Sequence, residues 1–155
     1  MFDLRPVGYV LGLLLAVLGL SMLVPMALDL ARQNDHWSAF AEAALITVLS
    51  GVFLMISCGA ARRQALSLQQ TFLMTFGVWL VLPLFAALPF VLGATAATVT
   101  DAVFEAMSGM TTTGATVFEG LDELPQGLNL WRGLMQWFGG IGIIVVAMVF
   151  LPELR

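Results

Sequence analysis

Long stretches of this chain carry no charge, and that leaves few folds open to it. Val7 to Leu28, Ala43 to Ala61 and Gly133 to Pro152 are all free of Asp, Glu, Lys and Arg. Each is close to the ~20 apolar residues that cross ~30 Å of hydrocarbon as a helix. Gln64 to Thr100 is also uncharged but too long for one simple crossing. Hydrophobic residues make up 60% of the 155-residue chain and charged residues 10%, and mean hydropathy is +0.97. Soluble domains run nearer 45–50% apolar and about 25% charged. An integral membrane protein follows, all-α, because a helix satisfies its own backbone in lipid.

Four spans are expected. The first runs over Val7 to Leu28, with Pro25 near its far end, and its apolar run is longer than the h-region of a signal peptide. The second starts around Ala39 to Glu42 and ends before Arg62 and Arg63. The third covers Leu68 to about Leu92, and Pro83 and Pro89 should bend or end it. The fourth covers Leu130 to Leu151, with Trp131 as an interface anchor at its start and Trp137 slightly deeper. The division is a helix hairpin over 1–63 followed by a helix–loop–helix unit over 64–155. Orientation follows from arginine. With the N-terminus inside, Arg5, Arg62, Arg63 and Arg155 are cytoplasmic, and only Arg32 and Arg132 lie outside. The positive-inside rule therefore puts both termini in the cytoplasm. The acids Asp29, Asp35, Glu42, Asp101, Glu105, Glu119, Asp122 and Glu123 gather toward the other face, making it negative and attractive to cations.

The segment between the third and fourth spans is the informative one. Thr100 to Met110 reads as a short helix, with Thr100 or Asp101 as N-cap and Val103, Phe104, Met107 and Met110 along one stripe. At 1.5 Å per residue it reaches roughly 15 Å, half a hydrocarbon core, so the chain must turn back. Thr111, Thr112 and Thr113 are β-branched and disfavour more helix, and Gly114 admits backbone conformations that a Cβ resists. Such a re-entrant loop at membrane depth survives only against protein or water. An extended limb stacks carbonyls roughly 3.3 Å apart, and rings of them could replace a cation's hydration shell. The preceding helix would aim its negative end at the same place. On residues alone, a plain polar external turn at 111–116 stays open beside this cation pathway.

The run Thr100-Asp101-Ala102-Val103-Phe104-Glu105-Ala106-Met107-Ser108-Gly109-Met110-Thr111-Thr112-Thr113-Gly114-Ala115-Thr116 resembles the first pore loop of the Trk/Ktr potassium-uptake family, in its TrkH and TrkG branch. Leu121-Asp122-Glu123-Leu124-Pro125, Trp131-Arg132 and Gln136-Trp137-Phe138-Gly139-Gly140-Ile141-Gly142-Ile143-Ile144-Val145 resemble the family's next helix. Pro25 and Ala87-Leu88-Pro89-Phe90 fit as well, so the likeness covers nearly the whole chain. The resemblance implies an N-terminal hairpin and then four helix–pore–helix repeats, related to those of tetrameric potassium channels. It implies potassium uptake across the bacterial inner (plasma) membrane, with potassium as substrate and no cofactor. It also implies a pore helix at about 100–110 and a filter at about 111–116. Thr112, Thr113 and Gly114 would be the potassium-binding residues, and Thr111, Ala115 and Thr116 would flank them. Family members are dimers that associate with a TrkA-like cytoplasmic nucleotide-binding regulatory subunit. This chain carries one repeat where the family uses four. It reads as the N-terminal part of such a pore, with a non-conducting fragment, an accessory subunit or a self-assembling four-fold channel as the alternatives.

Other features point away from catalysis. Cys58 and His36 are the lone residues of their kinds, the basic residues are too few to grip nucleic acid, and no catalytic set or P-loop is present. Gly139-Gly140-Ile141-Gly142 sits in an apolar span and reads as a close helix-packing surface. Glu105 is expected to be structural. Arg132 reads either as an interfacial anchor or as a tie to Glu119, Asp122 or Glu123.

Overall fold

The computed structural model describes residues 3–61, 66–93, 95 and 97–150. Arg62, Arg63, Arg155, Leu151 and the 63/64 division lie outside the described residues. Among the described residues seven α-helices are formed: α1 Arg5–Ser21, α2 Leu23–Ala31, α3 Trp37–Ser57, α4 Leu68–Ala86, α5 Leu88–Leu92, α6 Val99–Met110 and α7 Gln126–Phe150. Short 3₁₀ turns cover Gly59–Ala61 and Leu121–Glu123. Four helical stretches are long and apolar enough to cross a membrane: Arg5–Ala31, Trp37–Ser57, Leu68–Leu92 and Gln126–Met148.

Proline sets two of the breaks. A proline ring clashes with the carbonyl four residues earlier and supplies no N–H to it. Pro25 thus acts on Ser21, where α1 ends, and Pro89 acts on Phe85, one residue before the end of α4. Pro83 behaves differently and stays inside an unbroken α4. The start of α4 is secured by a capping box, in which the Ser67 hydroxyl accepts from the Gln70 N–H and the Gln70 side chain accepts from the Ser67 N–H.

Alternation of the spans is visible in the contacts at the two ends. At one end Gly8 packs on Cys58, and the Gln70 side chain donates to the Asp3 carbonyl at 2.6 Å. At the other, Asp29 and His36 meet Gly93 and Gly127. Small residues bring α1 and α3 together. A Cβ on Gly12 would sit 2.7 Å from the Gly51 carbonyl oxygen, and one on Gly51 would sit 2.6 Å from that of Gly12. Hairpin and repeat share a single core, because Met22 and Phe40 join Phe90, Ala102, Leu128, Trp131 and Met135 in one buried cluster.

Trp131 departs from the expected interface anchor. It is fully buried, and its indole N–H donates to the Ala86 carbonyl at 3.0 Å. The chain breaks at Ala87 ahead of Pro89, and the Phe90 N–H turns to Ala87. The Ala86 carbonyl is one of the helix-end acceptors left over, and the indole satisfies it. Trp137, deeper in the same helix, faces outward and is 63% exposed in this chain. Trp131→Phe keeps the ring but orphans that carbonyl. It should lower the unfolding free energy in micelles by about 1–3 kcal/mol, measured against wild type in a denaturant titration. An unchanged midpoint would show that the indole bond contributes nothing.

Candidate functional site

The short helix α6 begins slightly earlier than the residue pattern predicts. Thr98, not Thr100 or Asp101, is the N-cap of α6: its hydroxyl accepts from the Asp101 N–H at 3.2 Å, and Asp101 accepts from the Thr98 N–H. The buried face is also different from the expected stripe. Ala102, Glu105, Ala106, Ser108, Gly109 and Met110 are buried, whereas Phe104 is 46% exposed. Small side chains let α6 approach α7 closely, and a Cβ on Gly109 would lie 3.2 Å from that of Met135.

The 12 residues of α6 reach about 18 Å at 1.5 Å each. Its last carbonyl, on Met110, presses on Gly139, where an added Cβ would overlap it. Gly139 lies midway along the 25-residue α7, so the short helix stops about half-way down the long one. Gly139 is thus the residue of the glycine cluster that makes the close approach. Gly140 faces open space, and Gly142 meets Trp79 only at ordinary contact distance.

The turn that follows is a Schellman motif. Thr111 is the C-cap, the Thr112 N–H donates to the Gly109 carbonyl at 3.0 Å, and the Thr113 N–H donates to the Ser108 carbonyl at 2.9 Å. The position that usually takes glycine is held by Thr112, with φ +57°. A β-branched residue there is a genuine outlier and costs roughly 1–2 kcal/mol. Thr111 and Thr112 therefore belong to the turn, and the extended limb starts later than the expected Thr111–Thr113 strand. Gly114 adopts φ +77°, the left-handed region that its missing Cβ makes accessible. The hydroxyl of Thr111 donates to the Met107 carbonyl at 2.8 Å, so in the 2.8 Å contact between Thr111 and Thr113 the proton comes from Thr113.

From Ala115 onward the chain runs back alongside α6. The Ser108 hydroxyl donates to the Ala115 carbonyl at 2.6 Å. Glu105, 2% exposed, accepts on Oε2 from the Thr116 hydroxyl at 3.0 Å and from the Val117 N–H at 3.1 Å. Its Oε1 accepts from Arg132 Nε on α7 at 2.5 Å. One carboxylate thus ties α6, the return limb and α7 together. Arg132 is paired with Glu105 and not with Glu119, Asp122 or Glu123. Residues 112–117 are exposed on the opposite side, so the loop is braced from behind and open in front.

Asp29 and His36 were not singled out as a site by their residue types, although a carboxylate at the end of an apolar span was a signal to follow. Asp29 is fully buried and accepts from the Gly127 N–H at 2.7 Å, in the first turn of α7. Glu105, buried and paired with Arg132, therefore adds little to the negative surface expected from the acids.

A short helix that stops half-way along α7, a threonine–glycine bend and a limb returned along its flank, set among four membrane-capable helices, define an all-helical membrane protein with a helix–loop–helix unit. Over residues 36–155 the chain matches the family model described as TrkH, cation transport protein. It is 43% identical to the Trk system potassium uptake protein TrkH of Halomonas elongata, over 98% of this chain and 32% of that protein. With the TrkH of Escherichia coli K12 the identity is 36%, over 97% and 31%. The crystal structure of the potassium transporter TrkH from Vibrio parahaemolyticus superposes with a TM-score of 0.90 at 36% identity, over 97% of this chain and 32% of that one. The chain belongs to the TrkH cation transport family, and it spans about a third of the length of the relatives it matches.

The brace yields a quantitative expectation. Removing one partner of a buried ion pair typically costs 3–5 kcal/mol, so Glu105→Gln and Arg132→Gln should each destabilise the chain by about that much. Their double mutant should cost clearly less than the sum, because the pair shares one interaction. Additive losses in a double-mutant unfolding cycle would show that the two side chains act independently.

Proposed function

We propose that this chain forms the N-terminal hairpin and first pore repeat of a potassium-uptake pore, with Thr112, Thr113 and Gly114 presenting carbonyls to potassium. Thr111, Ala115 and Thr116 shape the outer part of that filter. The observation that carries the reading is the pair of left-handed residues, Thr112 and Gly114, directly after a half-depth helix. In a regular strand the carbonyls alternate sides. Left-handed residues at alternate positions undo that alternation and favour carbonyls that share one side. The open front of 112–117 is then the face turned to the ion, and the names of the relatives supply potassium as its identity. The chemistry is transport of an ion and not catalysis, with no cofactor involved.

Several finer statements belong to the same proposal. The membrane is the bacterial inner membrane, with both termini cytoplasmic and the loop opening outside. The complete pore combines this repeat with three more, works as a dimer and is regulated by a TrkA-like cytoplasmic nucleotide-binding subunit. Orientation is tested by Asp122→Cys in a Cys58→Ser background. A membrane-impermeant maleimide should label it from outside intact cells, and labelling only after permeabilisation would reverse the topology.

The filter is tested at Gly114 in a complete transporter carrying this segment. A Cβ there meets nothing within 4 Å, so Gly114→Ser acts through the backbone and not through a clash. The left-handed penalty of roughly 1–2 kcal/mol corresponds to about 5- to 30-fold in ion affinity. Uptake should then need correspondingly more external potassium at equal membrane expression, with weaker discrimination against sodium. Thr98→Ser keeps the cap of α6 and should leave uptake unchanged. Equal behaviour of the two variants would return the loop to a plain external turn.

One repeat surrounds an ion on one side only, and lipid cannot complete the shell. Vesicles loaded with potassium and containing only this chain should show no flux above background. Selective flux would instead favour self-assembly of four copies around an axis.

A further inference from the structure

Asp29 and His36 form a buried pair that the pore loop does not use. Asp29 lies in the last turn of α2, His36 is the N-cap residue of α3, and both side chains are 1% exposed. Asp29 Oδ1 accepts from the Gly127 N–H on α7, where the helix dipole also favours the carboxylate. Asp29 Oδ2 lies 3.4 Å from His36 Nδ1, too long for a formed hydrogen bond under strict geometry. Among the described residues, Asp29 Oδ2 and both ring nitrogens of His36 have no hydrogen-bond partner. The far nitrogen, Nε2, is packed against the backbone of Gly93 beyond α5, so closely that a Cβ on Gly93 would overlap it. His36 also stands edge-on to Phe40, which stands edge-on to Trp131.

This arrangement accepts a neutral imidazole and resists a charged one. Imidazolium carries an N–H on both nitrogens. Nδ1 could turn its proton to Asp29, but Nε2–H would be buried with no acceptor among the described residues, and an unmet charged donor is costly. Burial pushes the His36 imidazole below its ordinary value, and the neighbouring Asp29 carboxylate offsets only part of that. The other charges around the pair are Arg32 and Asp35 on the hairpin turn, and Asp122 and Glu123, which line a cleft of about 290 Å³ with Asp29 and Arg32. The described part of α5 and the first turn of α7 bring no charge.

We propose that Asp29 and His36 form a proton-released clasp between the hairpin turn and the start of α7, closed with the imidazole neutral and opened when the compartment facing that turn acidifies. A histidine that is harder to protonate when folded contributes stability above its unfolded value of about 6.5. That contribution is lost as pH falls through and below this value. Opening frees Gly127 and the first turn of α7, and Asn129 in that turn holds the end of the return limb through the Leu121 carbonyl at 2.7 Å. The clasp is therefore linked through the first turn of α7 to the 3₁₀ turn that follows the loop.

The chain has a single histidine, so ¹³C-histidine labelling of the full chain in micelles gives one titrating imidazole signal. Its midpoint should fall below about 6.5. Amide hydrogen exchange over 126–129, corrected for the intrinsic effect of pH, should lose protection with the same midpoint. In His36→Gln that protection should not change across the same range. A midpoint at or above 6.5, protection that ignores the titration, or an unaltered pH response in His36→Gln would each overturn the proposal. Should His36→Gln fail to fold, the wild-type titration and exchange decide it by themselves.

Discussion

Irregular backbone between membrane-capable helices must have its polar groups met by protein or by water, and the side of the loop turned toward the helices has only protein to turn to. In this chain the Glu105 carboxylate meets that demand. It takes the Thr116 hydroxyl and the Val117 N–H from the return limb and is neutralised by Arg132 on α7. Ser108 adds a second tie, to the Ala115 carbonyl. The loop can then leave its other side open. Glu105 can sit so deep because Ala102, Ala106 and Gly109 on the same helix are small enough to bring α6 against its neighbours.

The same economy appears at the helix ends. The Ala86 carbonyl, left over where α4 breaks ahead of Pro89, receives the Trp131 indole, and the first turn of α7 receives Asp29 from a residue 98 positions earlier. Both bonds cross from one span to another. They hold α7 from its first turn, and α7 in turn carries Gly139, on which α6 ends, and Arg132, which neutralises the brace. Geometry at the 111–117 loop therefore depends on contacts made well away from it. Strain at Thr112 is tolerable because the Schellman bonds and the Thr111–Thr113 hydroxyl relay surround it.

Much of this was legible in the residues. Charge-free runs mark the four spans because hydrocarbon tolerates little else. The half-length helix and the Thr-Thr-Thr-Gly bend marked re-entry, because neither is long enough or regular enough to cross. Pro25 and Pro89 announced their breaks through a local clash. Less legible were the N-cap at Thr98, the unbroken α4 around Pro83 and the fate of Trp131. Each turned on which neighbour was available, and near a helix end tryptophan serves equally as a lipid anchor or as a buried donor.

By itself the sequence determined the class of protein, the number of spans and the place of the loop, since these follow from hydropathy, length and local stereochemistry. Tertiary structure alone decided the partners of the few charged groups. Arg132 had three acids close by in sequence and chose Glu105, 27 residues away. Asp29 looked like a surface charge and became the buried acceptor for α7. A carboxylate's worth depends on the dielectric around it and on the donors within 3 Å. Both are set by how the helices pack, which no stretch of neighbouring residues specifies.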